Sequence, residues 1–252
     1  MAIVLEICAN SVHSAVAAEQ GKADRVELCD NLADGGTTPS YGMILLTRER
    51  IDIQLYPIIR PRGGDFLYDD AEFQVMWKDI EWCKEAGCDG VVIGLLTASG
   101  NIDKRRTKML VDLAWPLGVT FHRAFDRCRD PLDSLEDVIE TGCERILTSG
   151  QCPTAVEGAD LIAALVAKAG DRIAIMAGSG VRPHNIAELA KRTGCSEYHS
   201  TAAKNMESKM EFTNGLVKEL GAAESAWQAT DPEIVSMLRL QAEEALGKRT
   251  DG

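Results

Sequence analysis

Two short segments near the start of the chain repeat one arrangement of reactive side chains. The sequences Leu-Glu-Ile-Cys and Val-Glu-Leu-Cys each place a carboxylate two residues before a thiol, at Glu6 and Cys8 and again at Glu27 and Cys29. Because side chains alternate along a β-strand, each Glu shares a face with its Cys. Two thiolates ending adjacent strands could bind one soft ion such as Cu(I). The alternative is that both cysteines are small apolar side chains of the core.

Two histidines end other apolar segments and add groups that titrate near neutral pH. The segment that begins at Val119 alternates like a strand and reaches His122, and the last predicted strand reaches His199. Beside Glu6 and Glu27, these imidazoles could take up and return protons, so all four are candidates for general acid–base catalysis. The alternative is a polar network in which every group is satisfied and none reacts.

A glycine-containing loop offers a place for an anion. Gly178, Ser179 and Gly180 follow the seventh predicted strand, and Pro183 stands at a predicted helix start. In α/β barrels, a phosphate is often bound at this position by backbone N–H groups and a helix amino terminus. The glycines could instead only let a helix pack closely, since Gly-x-Gly alone is a weak signal.

Three arginines favour an anionic ligand. Arg60 ends the third predicted strand, Arg62 follows it in a Gly- and Pro-rich loop that could close over a site, and Arg123 follows the fifth strand. In a chain of net charge −12, arginines gathered at one mouth are more easily explained by a ligand than by chance. Each could instead be the buried partner of a carboxylate such as Glu6.

The elements that must position these residues form an alternating pattern of strands and helices. Eight short apolar segments read as strands, and many of them end in polar side chains. They are Ala2 to Cys8, Arg25 to Cys29, Gln54 to Arg60, Gly90 to Gly94, Val119 to Phe121, Arg145 to Thr148, Ile173 to Ala177 and Glu197 to Ser200. The 252 residues are close to the roughly 250 typical of one (β/α)8 barrel, whose functional residues gather at the carboxyl ends of the strands. We therefore expect an α/β protein with one TIM-barrel domain spanning 1–252 and a barrel at 2–201.

Helices are predicted between these strands from their caps and stops. They run from Asn10 or Ser11 to Gly21, Ser40 to Glu49, Asp69 or Asp70 to Gly87, Asp103 to Pro116, Pro131 to Thr141, Thr154 to Ala169, from Pro183, and from Asp231-Pro232 to Leu246. The segment 202–230 is long for one connection and could be a lid, a dimer contact or a mobile loop. Met206 and Met210 within it are spaced like one helix face.

Three other cysteines are predicted to lie away from the site. Cys88, Cys143 and Cys195 each follow a glycine that ends a helix and precede a strand. That position is the amino-terminal end of the barrel, where residues usually serve stability.

Composition excludes several classes of function. The net charge of −12 opposes binding to nucleic acid or to anionic membranes, and no apolar run is long enough to span a bilayer. Eight cysteines without a Cys-x-x-Cys pair indicate free thiols in a reducing compartment, so we expect a cytoplasmic protein. No His-Glu-x-x-His, Gly-x-Ser-x-Gly, Walker or dinucleotide motif occurs, and we infer no organic cofactor.

Longer motifs resemble the CutC family. Besides the two Glu–Cys strands, they are Gly-Gly-Thr-Thr-Pro-Ser at 35–40, Ile-Arg-Pro-Arg-Gly-Gly-Asp-Phe at 59–66, Thr-Phe-His-Arg-Ala-Phe-Asp at 120–126, Leu-Thr-Ser-Gly at 147–150 and Met-Ala-Gly-Ser-Gly at 176–180. The resemblance runs from about Ala2 to Thr201, and the region beyond departs from the family pattern. It implies a cytoplasmic (β/α)8 barrel, often dimeric, associated with copper homeostasis and with a Cu(I) site at Cys8 and Cys29.

Two functional hypotheses follow. The first is a copper-homeostasis protein that binds Cu(I) through Cys8 and Cys29. The second is a barrel enzyme of lyase or isomerase type acting on a small phosphorylated or carboxylated metabolite, because copper alone does not explain the arginines. In that case Arg60, Arg62 and the Gly178 loop would hold the anion, while Glu or His side chains move protons.

Overall fold

Eight parallel strands form a barrel in the computed structural model, which describes residues 3–212 and 226–247. They are Val4–Ala9 (β1), Arg25–Leu28 (β2), Gln54–Pro57 (β3), Gly90–Ile93 (β4), Gly118–Phe121 (β5), Arg145–Thr148 (β6), Ala174–Ala177 (β7) and Glu197–Ser200 (β8). The order is β3-β2-β1-β8-β7-β6-β5-β4. A bridge between Ile58 and Val92 closes β3 onto β4, where the Ile59 N–H donates to the Val92 carbonyl at 2.8 Å. The predicted (β/α)8 barrel is confirmed.

Helices follow the strands around the outside of the barrel. They are Val12–Gln20 (α1), Tyr41–Arg48 (α2), Asp70–Glu85 (α3), Lys104–Ala114 (α4), Pro131–Thr141 (α5), Ala159–Ala169 (α6), Ile186–Thr193 (α7) and Pro232–Gly247 (α8). Several begin at the predicted caps. The Ser11 hydroxyl accepts from the Ser14 N–H at 3.1 Å, and Asp69 forms a capping box with Glu72. Of the described helices, none has the length and apolar character needed to cross a bilayer.

As strand alternation predicts, successive side chains of β1 and β2 lie on opposite faces of the sheet. Leu5, Ile7, Val26 and Leu28 belong to the large core that includes the helix residues. By contrast, a second buried cluster is formed by Cys8, Cys29, Tyr56, Ile58 and Val92. The thiols therefore lie on the opposite face of the sheet from the helix-packing residues.

One predicted helix start is wrong. Helix α7 begins at Ile186, not at Pro183, because Arg182 to Asn185 form a turn in which the Arg182 N–H donates to Asn185 Oδ1 at 2.8 Å. The helix amino terminus is therefore three residues further from the glycine loop than expected. Helix α6, by contrast, lies within the predicted range between Thr154 and Ala169.

A hairpin follows β8. Ala203–Glu207 (β9) pairs antiparallel with Ala226–Thr230 (β10). Met206 therefore lies in a strand, and Met210 is 74% exposed beyond it, so the expectation of one helix face is wrong. The middle of the predicted lid or dimer segment, 213–225, lies outside the described residues. After the hairpin, α8 packs so closely on the end of α1 that a Cβ at Gly21 would lie 2.5 Å from Val235 Cβ.

Candidate metal and ligand site at the barrel mouth

A cavity of about 260 Å³ opens at the carboxyl ends of the strands. Its lining includes a majority of the predicted site residues, namely Cys8, Glu27, Arg60, His122, Arg123, Ser179, Gly180 and His199. Glu6, Cys29, Arg62 and Gly178 are not part of the lining. Cys29 contacts Cys8 on the side away from the cavity. Gly178 serves close packing, since a Cβ there would lie 2.5 Å from Leu147 Cδ1.

The two thiols lie together under the cavity. Cys8 Sγ and Cys29 Sγ are 3.3 Å apart, and both side chains are buried. The hydrogen bond with Cys29, together with burial, raises the pKa of the Cys8 thiol well above its usual range. The protein without metal therefore holds this thiol protonated at neutral pH.

Two further ligand atoms adjoin the Cys8 sulfur. Cys8 Sγ, a Glu27 carboxylate oxygen and a His199 ring nitrogen lie within 4.8 Å of one another. Burial raises the pKa of Glu27, against the lowering influence of His199. Burial lowers the pKa of His199, but the adjacent Glu27 and Glu6 outweigh it and the net direction is upward. Sulfur, nitrogen and oxygen donors thus converge on one buried point.

Glu6 contacts this cluster through a hydrogen bond with His199. Its Oε1 is 2.7 Å from His199 Nδ1, which leaves Nε2 toward Glu27 at 3.6 Å. Its other oxygen accepts from Arg25 Nε. Burial raises the pKa of Glu6, but Arg25 and His199 outweigh it and lower the pKa to about 2. Glu6 is therefore a fixed carboxylate that orients His199, as the outer partner of a metal-binding imidazole does.

Below Glu6, the barrel interior is filled by ion pairs. Arg25 Nη2 donates to Glu197 Oε2 at 2.7 Å, and Arg145 Nε donates to the same oxygen at 2.7 Å. Arg145 Nη1 reaches Glu144 Oε1 at 2.6 Å. Every charge of this network has an opposite charge beside it.

Arg60 differs from these arginines because its partners are uncharged. Its Nη1 donates to the carbonyls of Asp34 and Gly36 at 2.6 and 2.7 Å, and its Nη2 donates to the Gly64 carbonyl at 2.8 Å. Nε has no hydrogen-bond partner, although the residue is only 3% exposed. Within the described part of the chain, no carboxylate pairs with it.

His122 also presents an unpaired nitrogen. Its Nδ1 accepts from the Ala124 N–H at 3.1 Å, and its buried Nε2 has no partner in the described part of the chain. Burial, followed by the nearby Arg60 charge, lowers the pKa of His122 to about 3. The ring is neutral at physiological pH and suits hydrogen-bond donation better than proton uptake.

The other predicted arginines are already neutralised. Arg62 pairs with Glu72 and with Asp65, outside the cavity. Arg123 lies at the rim, where its Nε donates to Asp126 at 2.7 Å and its Nη2 to Ser149 at 2.9 Å. The structure thus brings Arg60 and Arg123 to the mouth and leaves Arg62 in a surface ion pair.

Comparisons with known proteins agree with this architecture. The sequence pattern described as the CutC family matches residues 3–204. A family protein CutC of Chromobacterium violaceum is 53% identical over 247 residues, covering 97% of this chain and 98% of its own length. The chain belongs to the CutC family. A family protein CutC of Xylella fastidiosa is 48% identical over 234 residues, covering 93% and 86% of the two chains.

A solved CutC structure supports the same assignment. The crystal structure of the Streptococcus agalactiae protein, which carries the provisional description copper homeostasis protein CutC, superposes with a TM-score of 0.75. It is 37% identical and covers 79% of this chain and 98% of its own. All of the candidate site residues lie within the range 3–204 matched by the CutC pattern.

Sequence reasoning missed the charged residue Arg182 of this CutC cavity. Arg182 lines it from the loop after β7, and its Nη1 makes only long contacts, to the Val181 carbonyl at 3.4 Å and to Thr201 Oγ1 at 3.3 Å. No carboxylate among the described residues pairs with it. The available signal was its position two residues after Gly180, in the loop already chosen for an anion.

Proposed function

We propose that the thiols of Cys8 and Cys29 bind Cu(I) at the barrel mouth, and that the protein serves copper homeostasis in the cytoplasm. The observation that carries the proposal is the 3.3 Å separation of the two buried sulfur atoms. Thiolates are the ligands that Cu(I) prefers, and a low coordination number suits a two-sulfur site. Family membership, with the copper description of the Streptococcus relative, supports the same cargo.

The surrounding residues fit this cargo. His199 could add a nitrogen ligand, and Glu6 fixes its orientation. The Glu27 oxygen is a harder donor, so selectivity for Cu(I) would rest on the sulfur pair. Tyr56, Ile58 and Val92 pack around the thiols and limit the access of water to them. Cu(I) would displace the thiol protons on binding, because the thiolate is the metal ligand.

A copper titration tests this proposal. Cu(I) is titrated against a competing chelator under strict reduction, with wild type and the Cys8→Ser, Cys29→Ser double variant. We expect one tightly bound equivalent in wild type and its loss in the double variant. The control is Cys83→Ser, Cys88→Ser, which removes another pair of interacting buried thiols. Equal copper binding by all three proteins would exclude the site.

We also propose a homodimer, supported by the resemblance to the often dimeric CutC family. Light scattering coupled to size-exclusion chromatography tests it. A mass near 27.3 kDa would indicate a monomer and contradict it.

A second function is favoured by the charges of the cavity. Its lining contains three arginines and one carboxylate, although the chain has a net charge of −12. We propose as the alternative an enzyme of lyase or isomerase type on a small phosphorylated or carboxylated metabolite, with Glu27 or His199 moving a proton. Deuterium incorporation from D2O next to a substrate carbonyl, lost in Glu27→Gln, would support it. No incorporation into 2-oxo acids or sugar phosphates would count against it.

A further inference from the structure

No residue that the structure describes is a counter-ion of the buried Arg60 charge. Three hydrogen bonds to loop carbonyls fix the guanidinium, yet these groups are neutral. Burying a charge is costly unless an opposite charge compensates it. These bonds use three of the five guanidinium N–H groups, and the buried Nε has no hydrogen-bond partner in the part of the chain that the structure describes. Arg60 is therefore held in place with its Nε donor and its positive charge uncommitted.

The hydrogen on His122 is located by its contacts. Nδ1 accepts from a backbone N–H, so in the neutral ring the hydrogen must be on Nε2. The ring packs so closely on Gly94 that a Cβ at that position would collide with it. The Nε2–H is thus a buried donor of fixed orientation, and it has no acceptor among residues 3–212 and 226–247.

Phe66 brings these two groups together. Its ring centroid is 5.0 Å from Arg60 Cζ and 5.1 Å from the centre of the His122 ring. All three residues line the cavity, and Arg182 lies on the same lining with no carboxylate partner in the described chain. The lining of one small cavity therefore includes two residues with a buried, unused donor nitrogen, and two arginines without a carboxylate partner in the described chain.

We propose that the cavity binds the oxyanion group of a small molecule, with Arg60 Nε–H and His122 Nε2–H as its donors and Arg182 at the entrance. The oxyanion is the missing counter-ion of Arg60 and the missing acceptor of His122. This assignment deepens the alternative function, because it names the chemical group that the cavity recognises. It requires neither copper binding nor turnover.

Entry of the ligand requires a local movement. Both donor nitrogens are covered in this structure, and Phe66 contacts both groups. An oxyanion reaches them when the Phe66 ring moves aside. Gly64, two residues earlier in the same loop, already has a φ of 83° and gives this segment backbone freedom that other residues lack.

Calorimetric titration of the metal-free protein tests the site. The probes are inorganic phosphate and pyruvate, a small carboxylate, each compared with sodium chloride at equal ionic strength. We expect one of the two to bind at one equivalent and chloride not to compete. Binding of phosphate alone identifies a phosphorylated ligand, and binding of pyruvate alone identifies a carboxylated one.

Three variants locate the binding group. His122→Phe keeps an aromatic ring but removes the donor, and should weaken binding by about tenfold or more. Arg182→Gln is exposed and should fold normally, with affinity several-fold weaker. Arg50→Gln removes the same charge from the exposed turn before β3, at the opposite end of the barrel, and should bind like wild type.

Two results would overturn the assignment. One is that neither probe binds wild type above the chloride control. The other is that His122→Phe and Arg182→Gln, both folded by circular dichroism, bind as tightly as Arg50→Gln. Because only anion binding is measured, a failed copper titration or a failed deuterium assay leaves this outcome unaffected.

Discussion

The barrel interior below Glu6 (the lower barrel) and the barrel mouth both bury charged side chains. In the lower barrel each buried charge has an opposite charge beside it, whereas among the described residues Arg60 at the mouth has none. In the lower barrel, Arg25 and Arg145 share the Glu197 carboxylate, and Arg25 also reaches Glu6. At the mouth, Arg60 is equally buried, but its guanidinium donates the hydrogen bonds described above to backbone carbonyls and has no carboxylate partner among the described residues, where the His122 N–H is also left unused. A buried charge that has its partner serves the fold. One that lacks a partner is retained at a cost in stability and points to a ligand.

The largest expected effect on stability comes from removing an arginine of the lower barrel, where the buried charges are paired. Arg25→Met leaves the buried Glu6 and Glu197 short of one positive charge. We expect the free energy of unfolding in urea to fall by about 3–5 kcal/mol. Arg60→Met removes a charge with no carboxylate partner and should cost only about 1–2 kcal/mol, from the hydrogen bonds to loop carbonyls. The exposed Lys78→Met, which breaks the Lys78–Glu81 pair, is the control and should cost less than about 1 kcal/mol.

If Arg60→Met is as destabilising as Arg25→Met, compensation of charge does not distinguish the two regions. The comparison also becomes sharper with a ligand present. A bound oxyanion should raise the stability of wild type and not that of Arg60→Met, because stabilisation by a ligand requires binding to the folded state.

A middle-sized effect is expected in the pH dependence of stability. The folded state holds the pKa of His122 near 3, whereas the unfolded chain takes up the proton near 6.5. The unfolded state therefore binds more protons as pH falls below 6.5, and stability is lost in that direction. Over about two pH units this amounts to about 2–3 kcal/mol.

His122→Phe should remove that loss, so its stability should change less between pH 6.5 and about 4.5 than that of wild type. Urea denaturation at several pH values measures the difference. Both proteins contain Glu27 and His199, so subtracting one stability curve from the other removes the contributions of these two residues to the pH dependence. The exposed His13→Gln should show the wild-type slope. Parallel curves for wild type and His122→Phe would mean that His122 is not held neutral.

The smallest effect concerns Arg62. It lies outside the cavity in a half-exposed pair with Glu72, so Arg62→Gln should change stability by less than about 1 kcal/mol. It should also leave phosphate or pyruvate binding at the wild-type value in calorimetry. Weaker binding would restore Arg62 to the anion site that its sequence position first indicated.

The sequence predicted those features of the fold that are local. Helix α5 runs from Pro131 to Thr141 as expected, because Asp130 accepts from two backbone N–H groups and Gly142 ends the helix in a left-handed conformation. Strand alternation likewise placed Cys8 and Cys29 together, because it depends only on spacing along each strand. The β9–β10 hairpin was not predicted, since its strands are separated by a long segment without a recognisable turn.

Pairing between distant side chains could not be predicted in the same way. Arg62 was grouped with Arg60 because the two are neighbours in the loop, but it pairs with Glu72 on helix α3. Glu6 was predicted as an acid–base group, and its pairing with Arg25 was not predicted, because nothing in the spacing of the two residues indicates it. Which charges remain unpaired is a property of the assembled barrel, and it is this property that distinguishes Arg60 and Arg182.

The site spans the pair formed by the first and last strands of the barrel. Strand β8 pairs with β1, and His199 meets Glu6 across 193 residues of sequence. Contacts so distant along the chain carry a large cost in conformational entropy, because a long loop must be closed to form them. Cys8 on the first strand and His199 on the last therefore come together only in a finished barrel. A metal ion held by both would slow the separation of the first and last strands and so lengthen the lifetime of the native state.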